Sequence, residues 1–316
     1  MNGHDAFDEM MKPIKLRDGS NLNPVNLNDF FVLSPYNGAK IEIRDWALDV
    51  GGMVQRTLKT SYADLIESYP KCHAFATLEC VRNEAGGDLV GTALWSGVAL
   101  RDILEEVGVE PESTEVIFEG ADGLFTLVRA NSIPLDEGLK PYTLLAYEMN
   151  GKPLPIDNGF PLRLVAPGFY GDKWRKWLTG IKVINDEFMP PQELENQPKA
   201  ERLVLTTKLF RPLRGEVVSR GPCSIVGASW GSKTGIGHVD VSVDGGDTWD
   251  QAEVVWETPS PHAWTVWEYL WEPSKGGDYE VMGRAIDREG RTQIAVGREP
   301  YPSGLAGLDR MEIVVR

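Results

Sequence analysis

The sequence predicts an α+β protein in two domains, a mixed domain of strands and short helices followed by a β-sandwich. Three observations carry that reading. The chain has 316 residues, long for a single compact core. Residues 189–200 are mostly Pro, Gln, Glu and Asn with little to bury, the composition of an exposed linker. Beyond the linker, strands recur at even spacing with turn residues between them; before it, helix-period stretches interrupt the strands. The expected organisation is a flexible segment over 1–24, a first domain over 25–188, the linker over 189–200 and a second domain over 201–316.

The elements follow in order. Asn28–Leu33 carries the Asp-Phe-Phe-Val run of a short strand, and Lys40–Val50 alternates like another. Thr60–Ser68 looks helical, opening on Thr60 or Ser61 as the N-cap. Ala74–Leu78 is short and apolar, a buried strand running directly into Cys80 and placing it on the departing loop. Gly97–Val107 has amphipathic spacing, with Val98, Leu100, Ile103, Leu104 and Val107 near one face and Gly108 as terminator. Strands are expected at Glu115–Glu119, Leu124–Arg129, Thr143–Met149 and Leu162–Ala166, separated by turns such as Asn150-Gly151 and Asn158-Gly159. The second domain is expected to hold strands at Leu203–Leu209, Glu216–Ser219, Cys223–Ser229, His238–Val243, Ala252–Trp256, Ala263–Trp271, Asp278–Asp287 and Met311–Arg316.

Composition narrows the function classes. With 42% hydrophobic and 25% charged residues the chain reads as an ordinary globular protein. Its formal charge of −15 argues against a sequence-independent grip on nucleic-acid phosphates and against anionic membranes. No apolar stretch approaches the roughly 20 residues of a spanning helix, and Met1–Ser20 lacks the pattern of a secretory signal. The expected compartment is the cytoplasm for the sequence as written, or the periplasm if the N-terminus was processed. Three cysteines, Cys72, Cys80 and Cys223, form no C-x-x-C pair, and four scattered histidines give no metal-ligand spacing. Heme, flavin and iron–sulfur signatures are absent from the sequence, so electrons are expected to leave through a separate protein or a diffusible acceptor.

Two polar clusters stand out. Leu78-Glu79-Cys80-Val81-Arg82-Asn83 leads into Glu84-Ala85-Gly86-Gly87, where a cysteine beside an arginine on a loop suits a thiolate. On these residues alone, a buried inert cysteine is the commoner outcome for Cys80. The second cluster runs from Asp157 to Trp177 and places Arg163, Lys173, Arg175 and Lys176 near glycine-rich turns. In an acidic chain this reads either as an anion pocket or as a solvated basic face.

Several motifs, taken in order, resemble one family. Thr77-Leu78-Glu79-Cys80 followed by Trp95-Ser96-Gly97-Val98 is similar to the cysteine loop and succeeding segment of the sulfite oxidase family. Ser132-Ile133-Pro134-Leu135, Ala146-Tyr147-Glu148-Met149-Asn150-Gly151, Gly159-Phe160-Pro161-Leu162-Arg163 and Lys176-Trp177-Leu178 continue the resemblance. Val239-Asp240-Val241-Ser242-Val243-Asp244-Gly245-Gly246-Asp247-Thr248-Trp249 resembles that family's dimerisation domain. The resemblance covers nearly the whole chain beyond the first 25 residues.

It implies a sulfite-oxidase-type molybdopterin-binding domain with mixed sheets, followed by an immunoglobulin-like sandwich that makes homodimers through residues 201–316. It also implies the molybdenum cofactor, one pyranopterin dithiolene on molybdenum, with Cys80 as the protein's metal ligand. Soft thiolate ligation suits a metal already held through dithiolene sulfur. Asn158, Arg163, Gly171, Lys173, Trp174 and Lys176 match the groups that hold the pterin and its phosphate; Asp122 and, more loosely, Asp29 and Phe30 match further contacts. Trp95 matches an aromatic wall near the metal, a position a core aromatic fills equally well.

The departures from the family pattern concern substrate. Glu84 and Ala85 stand where sulfite-oxidising members carry arginines, Val32-Leu33-Ser34-Pro35 lacks another, Arg129 replaces a catalytic tyrosine, and Ser303 replaces a second-domain arginine. Each lost charge-assisted contact is worth roughly 1.5–3 kcal/mol, offset where Arg82 or Arg129 turns inward. The resemblance thus implies a molybdenum oxidoreductase transferring oxygen to or from a small substrate other than sulfite. The alternatives are a sulfite dehydrogenase with a rearranged anion site, a sulfoxide reductase, or a non-catalytic cofactor-binding or assembly module.

Overall fold

A computed structural model describes residues 9–27, 29–33, 41–122, 131–185, 202–297, 299–300, 304 and 307–316. The chain divides into two compact units: residues 1–31, 75–93 and 202–316 form the first, and residues 32–74 and 94–201 the second. The Cys80 segment belongs to the first. Among the described residues no helix is long and apolar enough to cross a membrane.

In chain order the first unit opens with a small antiparallel ribbon, β1 (Ile14–Lys15) and β2 (Asn21–Leu22). The second unit then takes β3 (Ala47–Gly52), β4 (Leu58–Ser61) and α1 (Tyr62–Ser68). Ser61 caps α1 by accepting the Asp64 amide, which satisfies one orphan donor of the first turn. β5 (Cys72–Glu79) and β6 (Val90–Ala99) are adjacent strands, each beginning in one unit and ending in the other. α2 (Leu100–Val107) buries Leu100, Ile103, Leu104 and Val107 and stops at Gly108, whose φ of 68° suits glycine.

The remainder of the second unit is β7 (Glu115–Gly120), β8 (Asn131–Pro134), α3 (Leu135–Gly138), β9 (Leu144–Met149), β10 (Lys152–Pro153), β11 (Arg163–Val165) and β12 (Leu178–Ile184). One sheet has the order β4-β3-β12-β7-β8, with β12 parallel to β3 and antiparallel to β7. Another has the order β10-β9-β6-β5, with β11 also pairing β9. β5, β6, β9 and β11 are nearly continuously buried and read as apolar runs, whereas β3 alternates buried and exposed residues.

The sandwich of the first unit holds β13 (Thr206–Arg211), β14 (Val217–Val218), β15 (Cys223–Trp230), β16 (Ile236–Ser242), β17 (Asp250–Gln251), β18 (Glu253–Trp256), β19 (Thr265–Trp271), β20 (Gly277–Asp287) and β21 (Arg310–Val315). They form two sheets, β13-β15-β19-β18 and β14-β21-β20-β16-β17. Leu209, Ile225 and Trp267 of the one and Val239, Val241, Val281, Ala285, Met311 and Ile313 of the other share one core. Gly227 is required there, since a Cβ on it would lie 2.1 Å from Cζ2 of Trp267.

All eight strands expected in the second domain are present, with ends shifted by a few residues. Three expectations in the first domain are corrected. Asp29–Leu33 forms no strand, because Phe30 turns its ring onto Gly91 instead of entering a ladder. The alternation expected over Lys40–Val50 is broken by a short 3-10 turn at Ile43–Asp45, and only Ala47 onward is strand. Gly97–Ala99 is strand rather than helix, because Gly97 lets β6 press against β9, where a Cβ would meet the Leu145 carbonyl at 2.0 Å. The expected strand Leu124–Arg129 and the linker 189–200 lie outside the described residues.

Candidate active site

In the first unit the site begins at the end of β5. The strand is buried through Glu79 and delivers Cys80, itself only 9% exposed, to a tight loop. The Cys80 amide donates to the Leu89 carbonyl over 2.9 Å, and the Asn83 amide donates back to the Cys80 carbonyl over 2.9 Å. The Arg82 amide N–H points at Cys80 Sγ from 3.5 Å. That is how Arg82 reaches the sulfur: its side chain is exposed, and the backbone dipole favours the thiolate.

Glu79, beside Cys80, is fully buried. Its two oxygens accept from Asn83 Nδ2 at 3.0 Å and from Trp230 Nε1 at 2.9 Å. Burial pushes its carboxyl up to about 7, against those two hydrogen bonds. Phe30 lies half-buried over Gly91 and stacks on Phe31 at 5.8 Å, while Asp29 is exposed.

In the second unit the cations gather around Arg163. β11 starts on this residue, and its side chain is 1% exposed. The guanidinium lies 4.9 Å from the Trp95 ring centre and 5.7 Å from that of Trp174, and the two indoles meet edge-on at 5.6 Å. Nη1 donates to the Asn158 carbonyl at 2.9 Å and Nη2 to the Trp174 carbonyl at 3.3 Å. Arg163 Nε is buried with no partner among the described residues. Burial alone pulls this guanidinium down to about 9.

Lys176 is half-buried, with Nζ donating to the Asp157 carbonyl at 2.6 Å and the Leu33 carbonyl at 3.2 Å. Burial first, and then the Arg163 charge, lower it to about 8. Gly171 opens a 3-10 turn that carries Lys173, also buried, to Trp174. The structure therefore brings Trp95, Asn158, Arg163 and Trp174 into direct contact, with Lys176 close enough to feel the Arg163 charge.

Asp122 is tied to Arg175 in a buried ion pair, both side chains under a tenth exposed. Gly120 makes room for that pair, since a Cβ there would lie 2.6 Å from Arg175 Nε. Arg129 and Ser303 lie outside the described residues. Glu79, Trp230 and the Asp122 partnership of Arg175 were not anticipated from sequence. The one local signal was Glu79 itself, a carboxylate within an otherwise apolar strand.

The donor set suits an anionic pterin cofactor. Among the described residues the Arg163 guanidinium is fully buried, donates to two carbonyls and lies against two indoles, with one N–H unspent, a costly state that a bound anion would relieve. Lys176 Nζ likewise donates to two carbonyls and lies 5.4 Å from the Trp177 ring centre. Among the described residues no three His, Cys, Asp or Glu side chains come together to hold a metal.

Comparison with known proteins decides the family. The model for the oxidoreductase molybdopterin binding domain matches residues 36–191. Sulfite oxidase from Arabidopsis thaliana is 30% identical, the alignment covering 79% of this chain and 77% of that protein. The chain belongs to the sulfite oxidase family of molybdopterin oxidoreductases. Another family relative, sulfite oxidase from Gallus gallus, is 31% identical over 82% of this chain and 65% of its own length. Mitochondrial sulfite oxidase from Homo sapiens is 34% identical over 75% of this chain, and the chain spans about half, 51%, of that protein. Among solved structures, the sulfane dehydrogenase SoxCD from Paracoccus pantotrophus superposes with a TM-score of 0.75 at 22% identity, covering 99% of this chain and 95% of that one. That likeness supports the fold. As a sulfite oxidase family member the chain takes the molybdenum cofactor, held as molybdopterin.

Proposed function

We propose that the chain is a molybdenum-cofactor enzyme that transfers an oxygen atom to or from a small substrate other than sulfite. The observation that carries it is the buried Arg163, a cation without an acid partner among the described residues, in a family that binds an anionic pterin. When bound, the cofactor supplies the two-electron redox centre at which oxygen is exchanged with substrate.

The chain's own residues hold and insulate. Cys80 supplies the one protein thiolate to the metal, its sulfur steadied by the Arg82 amide. Arg163, with Lys176 and Lys173, neutralises the phosphate of the pterin, and the Asn158 and Trp174 carbonyls fix the guanidinium plane. Trp95 and Trp174 exclude water from that charge and so strengthen it. Gly171 opens the turn that delivers Lys173. Asp29 and Phe30 are further contacts by family match, and Asp122 acts through Arg175. Residues 201–316, as an immunoglobulin-like domain, make the homodimer, and a separate protein or diffusible acceptor exchanges electrons with the metal.

Glu84 and Ala85, exposed on the Cys80 loop, support a substrate other than sulfite, since neither offers an anion a cation. The test is protein matured in a host that makes the cofactor. It should carry about one molybdenum and one pterin per chain, and Cys80→Ser should abolish turnover with every substrate. Metal-free protein from such a host would end the proposal. The relatives named sulfite oxidase favour a second reading, sulfite oxidation through a rearranged anion site using Arg129 and Arg82. Sulfite-dependent reduction of an artificial acceptor, lost in Arg129→Ala, would establish it; no turnover over a wide sulfite range would reject it.

A further inference from the structure

We propose that Glu79 is a positioning residue for the Cys80 thiolate, coupling the loop that carries the cysteine to the indole of Trp230 at the end of β15. The inference rests on the reading of Cys80 as the metal ligand.

The donor pattern around Glu79 is unambiguous. Trp230 offers only an N–H, at 2.9 Å from Oε2. Asn83 has its amide orientation fixed from the other side, because Oδ1 accepts the Leu89 amide at 3.0 Å. Its Nδ2 must therefore face Glu79 Oε1, at 3.0 Å. Two neutral donors thus converge on a buried group that has two acceptor oxygens and no neutralising cation among these partners. Burying a carboxylate on such terms is expensive. An apolar side chain would fill this part of the core at lower cost, so the carboxylate is present for where it holds its donors.

What it holds is the loop. Asn83 stands three residues after Cys80 and ties both stems, by its side chain to Glu79 and Leu89 and by its amide to the Cys80 carbonyl. The Cys80 amide closes the same loop on the Leu89 carbonyl. Trp230 is 1% exposed and cannot follow a moving loop, so it acts as the fixed end. Other bonds brace the segment in the same unit. The Thr77 amide donates to the His262 carbonyl at 2.9 Å, the Trp264 amide donates to Thr77 Oγ1 at 2.7 Å, and Lys208 Nζ donates to the Gly87 carbonyl at 2.7 Å. Glu79 is the member of this set adjacent to the sulfur-bearing residue. Through it, residues of the sandwich set the direction of the Cys80 Cα–Cβ bond.

Two variants and one control test the proposal. Trp230→Phe removes the indole donor and keeps an aromatic ring. Glu79→Gln keeps the volume but turns an NH2 toward one of the two donors. In cofactor-free protein, either variant should speed hydrogen exchange at the Cys80, Asn83 and Leu89 amides and alkylation of Cys80 by iodoacetamide by roughly tenfold or more. Exchange in the β15–β19 ladder at Ile225–Ala228 and alkylation of Cys72 and Cys223 should stay at wild-type rates. In molybdenum-loaded protein the thiolate-to-metal absorption band should shift in both variants. Unchanged loop exchange and an unchanged band in either folded variant would overturn the proposal, as would loosening of the whole unit in both. Cys80→Ser separates the two ideas. If the band survives that substitution, the metal-ligand reading fails, while the exchange data still report whether Glu79 orders the loop.

Discussion

The Arg163 guanidinium stands 4.9 Å from the centre of the Trp95 ring and has one N–H buried with no partner among the described residues. A cation kept this far from water among indoles and carbonyls contributes little to the empty protein. On the proposed reading its use is deferred to the bound anion. Arg163→Met should therefore lower pterin retention by at least tenfold, because one charge-assisted hydrogen bond alone is worth roughly 1.5–3 kcal/mol. The melting temperature of the cofactor-free protein should change little, as relief of desolvation offsets the loss of bonds to the Asn158 and Trp174 carbonyls. Pterin content after gel filtration, measured beside a thermal melt, checks both. Full retention by the variant would remove Arg163 from the cofactor site.

Lys176 gives a pH dependence. In the folded protein its ammonium is lowered to about 8, chiefly by burial, from an ordinary value of 10.5. Between those values the unfolded chain holds the extra proton, so the cofactor-free protein should gain stability as pH rises through 8 and level off near 10.5. Below pH 8 both states are protonated and the cost of burying the charge is fully present. Lys176→Gln should lose this rise relative to wild type in melts taken between pH 7 and 10.5. Parallel curves for the two proteins would show that Lys176 titrates normally.

The Asp122–Arg175 pair makes a prediction about stability alone. Both side chains are under a tenth exposed, so removing one partner strands a buried charge. Arg175→Met should cost about 3–5 kcal/mol, seen as a lower urea midpoint. Gly120→Ala should reproduce part of that loss, since its methyl would collide with Arg175 Nε at 2.6 Å. Wild-type midpoints in both variants would mean that the pair is not formed in solution.

The legible and illegible parts of this chain divide by the range of the interaction that fixes them. Strand period and turn residues act locally, so Cys223, Thr265 and Gly277 open strands close to where the pattern put them. The loop position of Cys80 was equally plain, since the apolar run of β5 ends at Glu79. Gly97–Ala99 misled because a fully buried strand running straight into a helix leaves no change of period to read. Asn28–Leu33 has strand composition, but its described part, Asp29–Leu33, pairs with no strand among the described residues, which no local pattern reveals. The Glu79–Trp230 bond joins residues 151 apart and the Arg175–Asp122 pair joins residues 53 apart, so neither partnership could be read from sequence, although Glu79 stood out as a carboxylate in an apolar strand. Trp95 was open between wall and core, and its contact with Arg163, residues 68 apart, was likewise out of reach of any local pattern.

The proposal of a substrate other than sulfite is tested at two exposed positions. Glu84 and Ala85 occupy the Cys80 loop at places where the family's sulfite-oxidising pattern has arginines, and both side chains are exposed, so longer ones have room. A sulfite dianion gains nothing from an alanine and is repelled by a glutamate. Glu84→Arg combined with Ala85→Arg, in cofactor-loaded protein, should therefore lower the KM for sulfite by roughly tenfold to a hundredfold, the worth of one well-formed charge-assisted contact. The kcat should change less, because uniform binding of substrate and transition state acts on KM. Steady-state kinetics with an artificial electron acceptor, run beside the single variants, would apportion the effect. A KM unmoved in the double variant would place sulfite discrimination elsewhere, with Arg129 and Ser303 the next positions to exchange.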